Sequence, residues 1–112
     1  MVDIETFKKM ALSFPETVEL PHFEKTSFRV NKKIFATLDI TYQKACLKLT
    51  IIDQSVFCAI DATIIYRVNN KWGNQGWTNI ELRKVKKNIL KDALSKAYIV
   101  AAPKKSFPKN KL

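Results

Sequence analysis

The stretch TSFRVNKKIFATLDITYQKACLKLTI, residues 26–51, decides the fold. TSFRV (26–30) and KIFATLDI (33–40) are rich in β-branched and aromatic residues and flank Asn31-Lys32. Asn tolerates a positive φ, so two strands joined by a tight two-residue turn are expected there. KACLKLTI (44–51) alternates: Ala45, Leu47, Leu49 and Ile51 fall on one face, and Lys44, Cys46, Lys48 and Thr50 on the other. Such alternation predicts a strand with one face in the core and one in water.

Working outward, the segment before these strands reads as a helix. Asp3 can cap it, Glu5 adds a favourable charge in its first turn, and Ile4, Phe7, Met10, Ala11 and Phe14 share one side at helical spacing up to Pro15. ETVELPHFEK (16–25), interrupted by Pro21, reads as a loop or short strand. After the third strand, Asp53 can cap a short helix over about 54–61 with Val56, Phe57 and Ile60 inward. TIIYRV (63–68) and WTNIEL (77–82) are further strands, the second burying Ile80 and Leu82. The strongest helical stripe is Ile89, Leu90, Ala93, Leu94, Ala97, Tyr98 and Ala101, with Lys87, Lys91, Ser95 and Lys96 opposite and Pro103 closing it. Helix, three strands, helix, two strands, helix predicts a two-layer α+β domain: a mainly antiparallel sheet with helices on one face. A single domain over 1–105 and a loose tail over 106–112 are expected.

The net charge of +10 on 112 residues favours anionic partners. It is unevenly placed. Residues 1–61 carry eight Lys/Arg and eight Asp/Glu, whereas residues 62–112 carry twelve Lys/Arg against Glu81 and Asp92. The N-terminus lacks the cationic start and apolar run of a signal peptide, and no apolar stretch is long enough to span a membrane. Cys46 and Cys58 match neither a disulfide framework nor a zinc motif, so both read as buried thiols in a reducing cytoplasm. No metal and no cofactor are expected, and a monomer is favoured.

NNKWGNQGWTNIELRKVKK (69–87) holds both glycines, both tryptophans and a block of cations. In one reading it is a flexible loop that offers Trp72 and Trp77 as stacking platforms beside the phosphate contacts Arg67 and Lys71. In the other, both rings pack into the core around a tight turn whose angles Gly73 and Gly76 supply; core packing is the expectation for Trp77. Arg83, Lys84, Lys86 and Lys87 precede or open the last helix, with no carboxylate until Asp92. That reverses the usual preference for acids at a helix start, and an anion would relieve it. In the first hairpin Arg29, Lys32 and Lys33 either contact phosphate or guard a sheet edge.

The residues also resemble a known family. Pro21-His22-Phe23, Lys33-Ile34-Phe35-Ala36, Lys71-Trp72-Gly73 with Gly76-Trp77, and Ala97-Tyr98 followed by Ala102-Pro103-Lys104 are similar to the MmcQ/YjbR family of small bacterial proteins. The resemblance covers about residues 7 to 105. It implies a frataxin-like α+β fold and a DNA-binding role through a double wing of β-hairpins. Iron delivery does not follow, because the acids are scattered rather than clustered and the net field repels cations.

The leading expectation is a non-catalytic, cytoplasmic DNA-binding module with little sequence preference. Arg29, Lys32, Lys33, Lys71, Arg83, Lys84, Lys86 and Lys87 would contact phosphates, and Trp72 a base. Lysine dominates arginine, seventeen to three, which suits phosphate attraction better than base readout. The alternative is an adaptor for a protein or small ligand, with His22, Phe23, Trp72 and Trp77 lining a groove. His22, the sole histidine, lacks partners at any recognisable catalytic spacing, so an enzyme is not expected.

Overall fold

A computed structural model of the chain describes residues 1–102. The expected tail over 106–112, and Pro103, lie outside the described residues. The elements run α1 (Ile4–Leu12), β1 (Thr17–His22), β2 (Lys25–Val30), β3 (Lys33–Asp39), β4 (Lys44–Lys48), α2 (Ile51–Cys58), β5 (Ile65–Arg67), a short 3-10 turn (Gly73–Gln75), β6 (Trp77–Glu81) and α3 (Lys87–Ala101). Six strands form one sheet in the order β1-β2-β3-β4-β6-β5, every neighbouring pair antiparallel. The architecture is α+β, and the helices pack on one face.

The hairpin forms as its turn residues require: Asn31 and Lys32 both take positive φ, 51° and 70°, as a two-residue turn between twisted strands demands. The core face carries Phe28, Ala36, Leu38, Ala45, Leu47, Ile80 and Leu82, all fully buried under the helices. The other face carries their alternates, Ser27, Thr37, Lys44, Cys46, Lys48, Trp77, Asn79 and Glu81, and among the described residues no helix covers it. Asp3 caps α1 as expected, accepting from the Thr6 amide at 2.7 Å.

Of the loop and the short strand expected over 16–25, the strand forms, as β1, so four strands instead of three precede the second helix; Pro21 is accommodated because β1 is an edge strand, where a missing N–H is tolerated. The second helix starts earlier than expected. Thr50, not Asp53, caps it, with Oγ1 accepting from the Asp53 amide at 3.0 Å. Its buried side chains are Gln54 and Phe57, while Val56 is 59% and Ile60 53% exposed, and Ile51 is exposed too. This helix lies beside three-residue β5 at the sheet's edge, where there is too little sheet to cover a second apolar side.

The register fixes two ends of the sheet. At one end lie Trp77, Lys48, the Asn31-Lys32 turn and the 69–76 loop. At the other lie Glu81, Lys44, the His22–Lys25 turn and the start of α3. Both α1 and α3 begin at this second end, since the Val2 amide donates to Leu82 O at 2.8 Å. They finish at the first, where Phe14 stacks on Tyr98 at 4.8 Å.

Candidate nucleic-acid interface

The 69–76 loop is held tightly, not left flexible. Asn70 Oδ1 accepts from the Trp72 amide at 2.9 Å, and the Val68 amide donates to Trp77 O at 3.0 Å, closing the loop. A Cβ on Gly73 would stand 1.9 Å from Val68 O, and one on Gly76 1.9 Å from Leu49 O, so backbone packs on backbone at both. Gly76 also sits at φ 105°, in the left-handed region. Beneath the loop the buried amide of Gln54 donates to Gly73 O (3.0 Å), Trp77 O (3.2 Å) and Thr78 Oγ1 (3.1 Å). One side chain of α2 thus ties the loop to the sheet.

Trp72 leaves this loop 50% exposed, with Lys71 Nζ 5.7 Å from its ring centroid. Trp77 does not enter the core. As the partner of Lys48 it lies on the open face, half-buried, because Thr78 takes the inward position next to it. Lys48 Nζ stands 5.8 Å from the Trp77 ring and donates to Gln75 O at 2.6 Å. A third pair repeats the arrangement: Lys44 Nζ is 5.9 Å from the Tyr66 ring on the same face. There, however, Glu81 lies 3.9 Å from Lys44 and accepts from the Tyr66 hydroxyl. The Tyr66 contact, with help from Glu81, raises the Lys44 pKa despite some desolvation. Lys44 is therefore already partnered, and the less compensated ring-and-lysine pairs are those at the Trp77 end. Arg67, exposed, pairs with Thr78 and so lies on the helix side of the sheet edge, where it donates to Asn74 Oδ1.

The expected phosphate contacts separate into groups. Lys32 and Lys33 project at the hairpin tip, at the Trp77 end. Arg29 lies on the open face, half-buried, its Nε donating to Ser27 Oγ at 2.9 Å. Arg83, Lys84, Lys86 and Lys87 follow β6 at the opposite end of the sheet. The five residues of β6 put them about 14 Å or more from Trp77. Even this group fans out: Lys84 acts on Asp61 and Lys87 on Asp3, each helping to lower a carboxyl that its own threonine hydrogen bonds already hold low. As the sequence suggests, α3 opens without an acid in its first turn and without a side-chain cap at Lys86.

The aromatic groove of the adaptor reading is not assembled. His22 and Phe23 cap the far end of edge strand β1, four strand spacings, about 19 Å, from β6. Phe23 is 94% exposed, and its ring meets the His22 ring edge-on at 4.9 Å. Cys46, half-buried on the open face opposite Asn79, has its thiol pushed up to about 11 by burial. Cys58 is raised by burial as well. Among the described residues, no group of His, Cys, Asp and Glu could hold a metal ion, and no helix is long and apolar enough to cross a membrane.

Sequence reasoning missed Lys44, Lys48 and Tyr66. The signal was present for the lysines, since the alternation of KACLKLTI already puts both on the wet face. What it could not supply was the neighbour: Lys48 meets Trp77 only through the β4–β6 register.

Fold and site together define a two-layer α+β domain with an open antiparallel sheet face bearing lysines beside aromatic rings. A sequence model of the YjbR family matches residues 12–99, and the chain belongs to that family. Its fold is similar to the crystal structure of the Deinococcus radiodurans protein DR2400, a domain described as DUF419. The TM-score is 0.79 at 22% identity, over 97% of this chain and 84% of that one. No curated protein sequence matches the chain.

Proposed function

We propose that this protein is a non-catalytic nucleic-acid-binding module with little sequence preference. Its contact surface is the Trp77 end of the open sheet face together with the 69–76 loop. The observation that carries the reading is the pairing of Lys48 with Trp77 and Lys71 with Trp72, each ammonium within 6 Å of a ring centroid on a chain of net charge +10. Rings offer stacking surfaces to bases and lysines offer point charge to phosphates, which together suit an unpaired strand. Lys32 and Lys33 extend the positive surface from the hairpin tip. Arg83, Lys84, Lys86 and Lys87, at the far end, contribute to the long-range field and not to the contact.

The test is fluorescence titration of a fifteen-nucleotide single strand and its duplex, using tryptophan emission. The single strand binds more tightly and quenches emission. Trp72→Ala, at an exposed site, weakens it by about 1–3 kcal/mol while leaving the melting temperature unchanged. Absence of binding at low salt, or equal loss of single-strand and duplex binding in Trp72→Ala, refutes the reading.

A further inference from the structure

On the other side of the molecule, α1 and α3 leave a groove of about 550 Å3 between them, unconnected with the surface just described. Its contents are ordered along its length. The two helices run side by side in the same direction, with Asp3 near Lys87 at their starts and Phe14 stacked on Tyr98 at their ends. Lys87 and Lys91 therefore lie towards the starting end, whereas Lys9, in the last turn of α1, stands beside Met10, and Met10 and Phe14 floor the rest over the fully buried Leu94. Among the described residues no carboxylate lines the groove; Asp3, near Lys87 at the start of the helices, is engaged by the Thr6 amide and offsets part of the positive charge there.

We propose that this groove binds a small amphipathic anion, a carboxylate head with an unbranched apolar tail, as a free monomer. Lys87 and Lys91 receive the head, and the floor of Met10 and Phe14 receives the tail. From Lys87 to Ser95 the groove runs about 12 Å, the reach of a chain of roughly ten carbons. Its volume lies within the ordinary range of small-molecule sites. A head alone would meet only exposed, solvated lysines, and a cationic head would be repelled, so head and tail are both required.

Isothermal titration of the full chain with decanoate tests this, against decyltrimethylammonium (same tail, opposite head), inorganic phosphate (no tail) and phosphatidylglycerol vesicles. Decanoate binds and the first two controls do not. The double substitution Lys87→Gln/Lys91→Gln, at exposed positions, weakens decanoate about tenfold or more. Ser95→Trp fills the groove and abolishes binding; should it fail to fold, the glutamine pair carries the test. Lys91→Gln alone and Ser95→Trp leave single-strand affinity at the opposite face unchanged, which separates this proposal from the nucleic-acid reading. No decanoate binding, equal binding of the cationic amphiphile, binding indifferent to the glutamine pair, or binding confined to vesicles would each overturn it.

Discussion

Gly76 shows how much a single position can dictate. Its φ of 105° and the 1.9 Å approach of a built Cβ to Leu49 O leave no room for a side chain against a backbone that cannot swing away. Gly76→Ala is expected to lower stability by about 3 kcal/mol or more, read as a shifted urea midpoint at unchanged slope. Cys46 is the residue whose titration bears on stability. Its thiol is raised from 9.0 to about 11 because burial disfavours the thiolate. A raised folded-state pKa means the contribution is fully present below pH 9 and is lost as pH rises through about 11. Urea midpoints between pH 8 and 11 should therefore fall more steeply in the native chain than in Cys46→Ala. Peptide-resolved iodoacetamide labelling at pH 8 should modify Cys46 about a hundredfold more slowly than in urea-unfolded chain.

At the scale of elements, α2 is the least apolar-driven of the three helices and the most revealing. Its inward side centres on Gln54, 5% exposed, which hydrogen-bonds one loop carbonyl, at Gly73, and the carbonyl of Trp77 and hydroxyl of Thr78 at the start of β6. Gln54→Leu keeps the volume but removes the donor that ties the loop to α2; Gly73 O and Trp77 O keep bonds from the Gly76 and Val68 amides and Thr78 Oγ1 still donates to Gly76 O, so it should cost about 0.5–1.5 kcal/mol and loosen the loop that presents Trp72. Thermal melts check the first effect, and increased amide exchange at residues 69–76 the second. Helix periodicity could not disclose this. It looks for apolar residues facing inward and so selects Val56 and Ile60, which are exposed because a three-stride edge strand offers them no partner. Where the interior is apolar the same reasoning succeeds. The α3 stripe is buried as expected, and Ala93 and Ala97, both fully buried, let the helix approach the sheet closely. Ala97→Leu should therefore overpack by about 1–3 kcal/mol, visible as a lowered CD melting midpoint. The alternation of KACLKLTI was equally legible from Lys44 to Leu49, because β4 is covered on one side only; it fails at Thr50 and Ile51, where Thr50 caps α2 and Ile51 is exposed instead of facing the core. The candidate site was legible only in part: the Trp-Gly loop announces itself in sequence, but its proximity to Lys48 depends on a pairing between residues nearly thirty apart.

At the scale of the whole molecule, the question is whether a net charge of +10 acts as one surface or as several. The register answers for the contact: the length of β6 separates Lys71, in the loop, and Lys48, on β4, from Arg83, Lys84, Lys86 and Lys87, while Lys87 turns towards α1. Cations that touch phosphates release condensed counterions, and each contributes about −0.7 to the slope of log K against log salt on a single strand. Cations that do not touch phosphates raise attraction through the screened field, which fades within a Debye length of about 10 Å at 0.1 M salt. The two groups should therefore separate in a salt series. Lys48→Gln and Lys71→Gln should each make the slope shallower by about 0.7. Lys84→Gln with Lys86→Gln should leave the slope unchanged and slow association only at low ionic strength. If instead the second pair flattens the slope as much as the first, the strand crosses the length of β6, and the contact surface must include the start of α3.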